Sequence, residues 1–109
     1  MSESNLRVLE QIIDYIKNNY DKDISLKALS TQIYLTPNYL GELFADKMNI
    51  NFKDYLTSVR MEKAKDLIRE NRYMIYEISE MVGYSHLDYF RKQFKKYTGI
   101  NPSEYRTME

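Results

Sequence analysis

The chain has 109 residues, 43% apolar and 29% charged, with 16 Lys and Arg balanced by 16 Asp and Glu. That size fits one domain, or two very small ones sharing a helix, with enough apolar content for packed cores. There is no Cys, which excludes a disulfide framework and a thiolate metal site, and three Gly with two Pro argue against a disordered, linker-rich chain.

No apolar run approaches the ~20 residues of a membrane span, so no membrane partner is expected. The opening MSESNLRVLEQ lacks the basic-then-apolar pattern of a secretory signal, and a cytoplasmic location is the expectation.

Hydrophobic periodicity predicts an all-α fold of about seven helices. The first covers about residues 6–20, with Leu9, Ile12, Ile13, Ile16 and Tyr20 at helical spacing. Ser25 is placed to cap a short second helix that turns Leu26, Leu29 and Ile33 inward. Thr36 and Pro37 open a third, where Pro needs no amide hydrogen. Asn49, tolerant of the left-handed conformation, stops it. Asn51 caps the longest helix, about residues 52–71, whose apolar side is Phe52, Tyr55, Leu56, Val59, Ala64, Leu67 and Ile68. At 1.5 Å per residue it spans roughly 30 Å, long enough to join two small cores and hold them apart.

The remaining residues repeat this plan. Ile75, Ile78 and Val82 line a short helix and Gly83 makes the turn. Ser85 is expected to cap the next helix, with Asp88 at its third position as a capping box. That helix carries Tyr89, Phe90, Phe94 and Tyr97 and ends at Gly99. Asn101 and Pro102 start a last short helix through Tyr105.

Aligning the chain with itself makes the duplication explicit. At an offset of fifty, Tyr39 meets Tyr89, Phe44 meets Phe94, Ile50 meets Ile100, Asn51 meets Asn101 and Tyr55 meets Tyr105. Upstream the offset is forty-nine: Leu26 with Ile75, Leu29 with Ile78, Ile33 with Val82, Thr36 with Ser85. One helix–turn–helix unit therefore occurs twice, with a one-residue slip. Two copies on one small chain suit a body that grips two similar sites, and DNA offers such sites once per helical turn.

The second unit, Ile78-Ser79 … Val82-Gly83-Tyr84 … Tyr89-Phe90 … Phe94-Lys95-Lys96-Tyr97-Thr98-Gly99 … Pro102 … Tyr105-Arg106, closely resembles the C-terminal signature of AraC/XylS-type transcription regulators. Tyr55-Leu56 … Arg60 … Ala64 … Leu67-Ile68 fits the family's linker, and Ser25-Leu26 … Leu29 … Leu35-Thr36-Pro37-Asn38-Tyr39-Leu40 … Leu43-Phe44 fits its first unit. The resemblance covers about residues 8–106. It implies two helix–turn–helix subdomains, residues 1–50 and 73–109, joined by a linker helix over 51–72. One recognition helix from each would lie in successive major grooves of double-stranded DNA. The opening helix followed by Asp23-Ile24-Ser25-Leu26-Lys27-Ala28-Leu29 looks most like the output module of a two-component response regulator. That likeness implies an N-terminal receiver or sensing domain as a partner, and RNA polymerase as a further candidate. No cofactor and no metal are expected.

By motif position, the first recognition helix offers Asn38, Gly41 and Glu42 to base edges, and the second offers Leu87, Asp88, Arg91 and Lys92. Candidates for phosphate are Thr36 and Ser85 at helix starts, with Lys47, Lys95 and Lys96 nearby. Tyr39, Leu40, Leu43, Phe44, Tyr89, Phe90 and Phe94 are expected in the core. Tyr34, Tyr73, Tyr76 and Tyr84 are not placed by pattern alone, and a Tyr hydroxyl at the rim can reach a phosphate.

The two helices differ in chemistry. Gly41-Glu42 aligns with Arg91-Lys92. Arg and Lys bond guanine O6 and N7, whereas Glu accepts from a cytosine amino group but repels the backbone; Asn38 suits adenine. Residues 1–50 carry five Lys and Arg against seven Asp and Glu, and residues 51–109 carry eleven against nine. The second unit is thus expected to supply most affinity. The rival reading is a protein-interaction module on the same fold with weak or no DNA binding, favoured by the neutral net charge and acidic first helix. An enzyme is not expected, because no nucleophile–base pair, metal cluster or phosphate-cradling Gly loop is present. His86, the single histidine, lacks partners for metal binding or catalysis.

Overall fold

The computed structural model describes residues 2–108, and every regular element among them is helical. The seven helices are α1 (Glu3–Asn19), α2 (Leu26–Ile33), α3 (Pro37–Met48), α4 (Phe52–Glu70), α5 (Ile75–Met81), α6 (Leu87–Thr98) and α7 (Pro102–Thr107). They form two compact units whose boundary falls inside α4, between Thr57 and Ser58.

The first unit packs α1 and α2 against α3. Ser2 starts α1 earlier than the apolar pattern suggests, its hydroxyl accepting from the Asn5 amide at 3.1 Å. Leu9, Ile12 and Ile16, spaced three and four apart, form the buried stripe of α1, and Leu29 of α2 and Leu40, Leu43 and Phe44 of α3 are buried in the same unit. Phe44 is wholly buried, and its ring meets Tyr55 edge-on at 5.3 Å between centroids and Phe52 at 6.3 Å. Burying such a ring contributes about 1.5–3 kcal/mol.

The second unit is built the same way around α6. Met61, Ala64, Leu67 and Ile68 on α4 are buried in this unit, as are Ile78, Val82, Tyr84, Phe90, Phe94 and Tyr105. Met61 is fully buried, although the periodic pattern of the long helix does not single it out. Tyr84 joins the core too, its ring 5.5 Å from Phe90 and 5.8 Å from Tyr89, with the Arg60 guanidinium 5.2 Å above it. Arg106 reaches back from α7 to donate to the Tyr73 carbonyl at 2.5 Å.

The internal repeat is visible bond by bond. Asn51 accepts from the Asp54 amide at 2.8 Å, and its counterpart Asn101 accepts from the Glu104 amide at 2.9 Å. Recognition-helix candidates α3 and α6 have 12 residues each and stop at left-handed residues, Asn49 (φ 60) and Gly99 (φ 93). The α2 and α5 ends turn through Tyr34 (φ 59) and Gly83 (φ 99). Each turn is closed by the following amide, Leu35 onto the Ser30 carbonyl at 3.3 Å and Tyr84 onto the Ser79 carbonyl at 3.0 Å.

The start of α6 departs from the sequence expectation. Thr36 caps α3, accepting from the Tyr39 amide at 3.1 Å, but Ser85 does not cap α6. The N-cap is His86, with no side-chain hydrogen bond, so the Ser85–Asp88 capping box does not form. The reason is the one-residue slip. The forty-nine offset persists through Leu35 and Tyr84, and the fifty offset begins at Pro37 and Leu87. The second turn thus holds one more residue, which displaces Ser85 from the cap.

Candidate nucleic-acid interface

In a helix, residues three, four, seven and eight apart share a face. Asp88, Arg91, Lys92, Lys95 and Lys96 are so spaced on α6, and all five are exposed. Phe90 and Phe94, on the opposite side, are wholly buried and fix which way that face points. Asp88 sits 3.7 Å from Arg91, an exposed one-turn ion pair. Leu87 is half-buried at the first helical position. Lys95 and Lys96 fall in the last turn, where their charge also opposes the negative end of the helix dipole.

The corresponding face of α3 is different. Asn38, Glu42 and Asp46 are exposed, Gly41 and Ala45 half-buried. Lys47, the cation of this helix, lies 3.4 Å from Asp46. A methyl group added at Gly41 would meet the Leu26 Cδ1 of α2 at 3.6 Å, an ordinary contact, so the glycine is not demanded by packing. Thr36 and Ser85 are both exposed beside the start of their helices, Thr36 with its oxygen already accepting from Tyr39.

Two aromatic expectations fail. Tyr39 and Tyr89 do not point into the core: they are 40% and 50% exposed. Leu40 and Phe90, next to them, take the core position at that turn and leave each tyrosine at the rim. Tyr39 then donates to Asn5 Oδ1 of α1. Tyr89 leans on Tyr84. Apolar spacing could not distinguish these rings from true core residues, because a tyrosine satisfies either environment with its ring or its hydroxyl.

Among the described residues no group of three or more His, Asp or Glu is placed to hold a metal ion, and no helix is long and apolar enough to cross a membrane.

Comparison with known proteins agrees with this architecture. Residues 29–108 match the helix-turn-helix domain family. The C-terminal domain of AraT, a response regulator from Geobacillus stearothermophilus, superimposes with a TM-score of 0.88 at 33% identity, covering 91% of this chain and 83% of that one. The C-terminal domain of the two-component response regulator yesN from Fusobacterium nucleatum does so with a TM-score of 0.84 at 40% identity, covering 89% and 95%. The lactose operon transcription activator of Staphylococcus xylosus is 34% identical over 98 residues, which are 90% of this chain and 35% of that protein. The chain thus spans about a third of the length of curated relatives such as this activator. The chain belongs to the AraC/XylS-type family of helix-turn-helix DNA-binding domains of transcription regulators.

Proposed function

We propose that this chain binds double-stranded DNA sequence-specifically to regulate transcription, with α3 and α6 entering successive major grooves on one face of the duplex. The observation that carries the reading is the single exposed stripe of Arg91, Lys92, Lys95 and Lys96 on the second helix of a helix–turn–helix unit. Such a stripe supplies both guanine-bonding side chains and phosphate neutralisation. Arg91 and Lys92 read bases, with Leu87 and Asp88 beside them at the helix start. Lys95, Lys96 and Ser85 meet the backbone.

In the first unit Asn38, Gly41 and Glu42 face the bases and Thr36 and Lys47 the backbone. Its acidic face makes it the weaker half, reading adenine through Asn38 and cytosine-containing steps through Glu42. The subdomains are residues 1–50 and 73–109, with 51–72 as their linker. The likeness to response-regulator output domains supports an N-terminal receiver or sensing domain as the controlling partner. RNA polymerase is the partner through which a bound regulator would act.

The test is titration of a labelled duplex at a series of salt concentrations. DNA binding through four or more cations gives log K falling steeply against log salt, with a slope of about −0.9 per phosphate neutralised. The acidic face of α3 favours a second reading, a protein-binding module on the same scaffold. Weak binding without that slope would select it.

A further inference from the structure

Tyr34 is held in a conformation that side chains resist and gains almost nothing from its own fold. Its backbone is left-handed (φ 59, ψ 37), and the residue is 91% exposed. A Cβ crowds the carbonyl in that region, which is why glycine is the usual occupant. The chain contains its own control: at the equivalent place in the second unit stands Gly83, φ 99, and the same turn closes with the same backbone bond. Glycine therefore suffices for this turn. At the rim, Tyr39 bonds Asn5 and Tyr97 bonds Glu62 through their hydroxyls, but the Tyr34 hydroxyl has no partner among the described residues. A strained, exposed aromatic with an uncommitted donor, two residues before the α3 cap Thr36, points to something outside the chain.

We infer that Tyr34 is a neutral backbone contact of the first unit, its phenol hydroxyl donating to a phosphodiester oxygen and its ring lying over the adjoining sugar. The inference rests on the DNA reading above and deepens it. The first unit needs such a contact for a physical reason. Its recognition helix presents Glu42 and Asp46, and its Lys47 is paired with Asp46. A phosphate approaching α3 meets repulsion that an O–H donor does not add to. Tyrosine hydroxyls are among the groups that fix a protein on the DNA backbone. The second unit, with four cations on α6, has no such need, and its turn carries Gly83.

An uncharged donor displaces no condensed counterion, so this contact has a signature that a lysine contact lacks. The experiment compares the full chain with Tyr34→Phe and Tyr34→Gly by fluorescence anisotropy. The probe is a duplex that the wild-type chain itself enriches from a random pool, titrated over a salt series. Tyr34→Phe is expected to bind about fivefold more weakly, the loss of one net hydrogen bond, with the salt slope unchanged. Tyr34→Gly is expected to lose about tenfold, although relief of the turn raises its Tm. Gain in stability with loss of binding separates the contact from misfolding. Full affinity in Tyr34→Gly overturns the inference, as does a salt slope reduced by one unit in Tyr34→Phe. A wild-type chain that enriches no duplex and shows no salt-dependent binding sinks the DNA reading itself; wild-type binding with indifferent variants sinks only the assignment to Tyr34.

Discussion

Tyr97, at the end of α6, donates a 3.0 Å hydrogen bond to Glu62 on α4, and Lys65 completes the group with a 3.1 Å ion pair to the same carboxylate oxygen. Partial burial pushes the Glu62 carboxyl up, but the Lys65 and Tyr97 hydrogen bonds and the Lys65 and Arg69 charges outweigh it and hold the group below its usual range. Partial burial, then the bond and charge of Glu62, push the Tyr97 phenol above its ordinary value. A depressed carboxyl stabilises the fold above its unfolded pKa and loses that contribution as pH falls through the folded value. A raised phenol stabilises below its unfolded pKa and loses the contribution as pH rises through the folded value. The contact is thus strongest between the carboxylate and phenol ranges. Tyr97→Phe should cost about 0.5 kcal/mol at neutral pH, the low end for a hydrogen bond because both groups are solvent-screened. The difference from wild type should shrink on the alkaline side and on the acid side. Urea unfolding at several pH values checks this; a pH-independent difference would contradict it.

The two helix starts make opposite forecasts from residues that align in sequence. Thr36→Ala removes a bond to the Tyr39 amide and should cost about 1 kcal/mol. Ser85→Ala removes no cap and should change stability by less than about 0.5 kcal/mol. Equal losses in thermal unfolding would mean that Ser85 does cap α6.

Gly41 sits inside α3 where glycine is a poor helix former. Since a Cβ there meets one ordinary contact with Leu26, Gly41→Ala should stabilise the chain by about 0.5–1 kcal/mol. A destabilised variant would show that α2 and α3 are packed more tightly than this contact implies.

The chemical difference between α3 and α6 predicts unequal binding losses. Arg91→Ala should weaken DNA binding by about tenfold or more and flatten the salt slope by about one unit. Glu42→Gln removes a charge that repels phosphate. It should strengthen binding to mixed-sequence DNA while losing preference at one position of the site. Anisotropy titrations of both variants decide the point; a larger loss for Glu42→Gln than for Arg91→Ala would reverse the assigned roles of the two helices.

Most of the fold was legible because local signals agreed with one another. Thr36-Pro37 and Asn101-Pro102 mark helix starts, Asn49 and Gly99 mark helix ends, and the stripes through Phe44 and Phe94 mark the cores. The cap of α6 was missed because the extra residue lies inside a turn, where no periodicity fixes alignment. The rim positions of Tyr39 and Tyr89 were missed because a leucine or phenylalanine at the next residue competes for the same core space, and spacing does not say which one wins. The charged stripe of α6 was legible too, because helical spacing puts Phe90 and Phe94 on the opposite face, and both are buried. Tyr34 is the least legible of all: nothing in YLTPNY reveals a left-handed tyrosine until the chain is aligned with Gly83.

One chain with two unequal DNA-reading helices should select a bipartite site. Selection from a random double-stranded pool with this purified chain at moderate salt tests it most directly. Two short motifs should be enriched about one helical turn apart, ~10 bp between centres, with more information in the motif lost on Arg91→Ala. A single enriched motif, or a first half-site richer in information than the second, would contradict it.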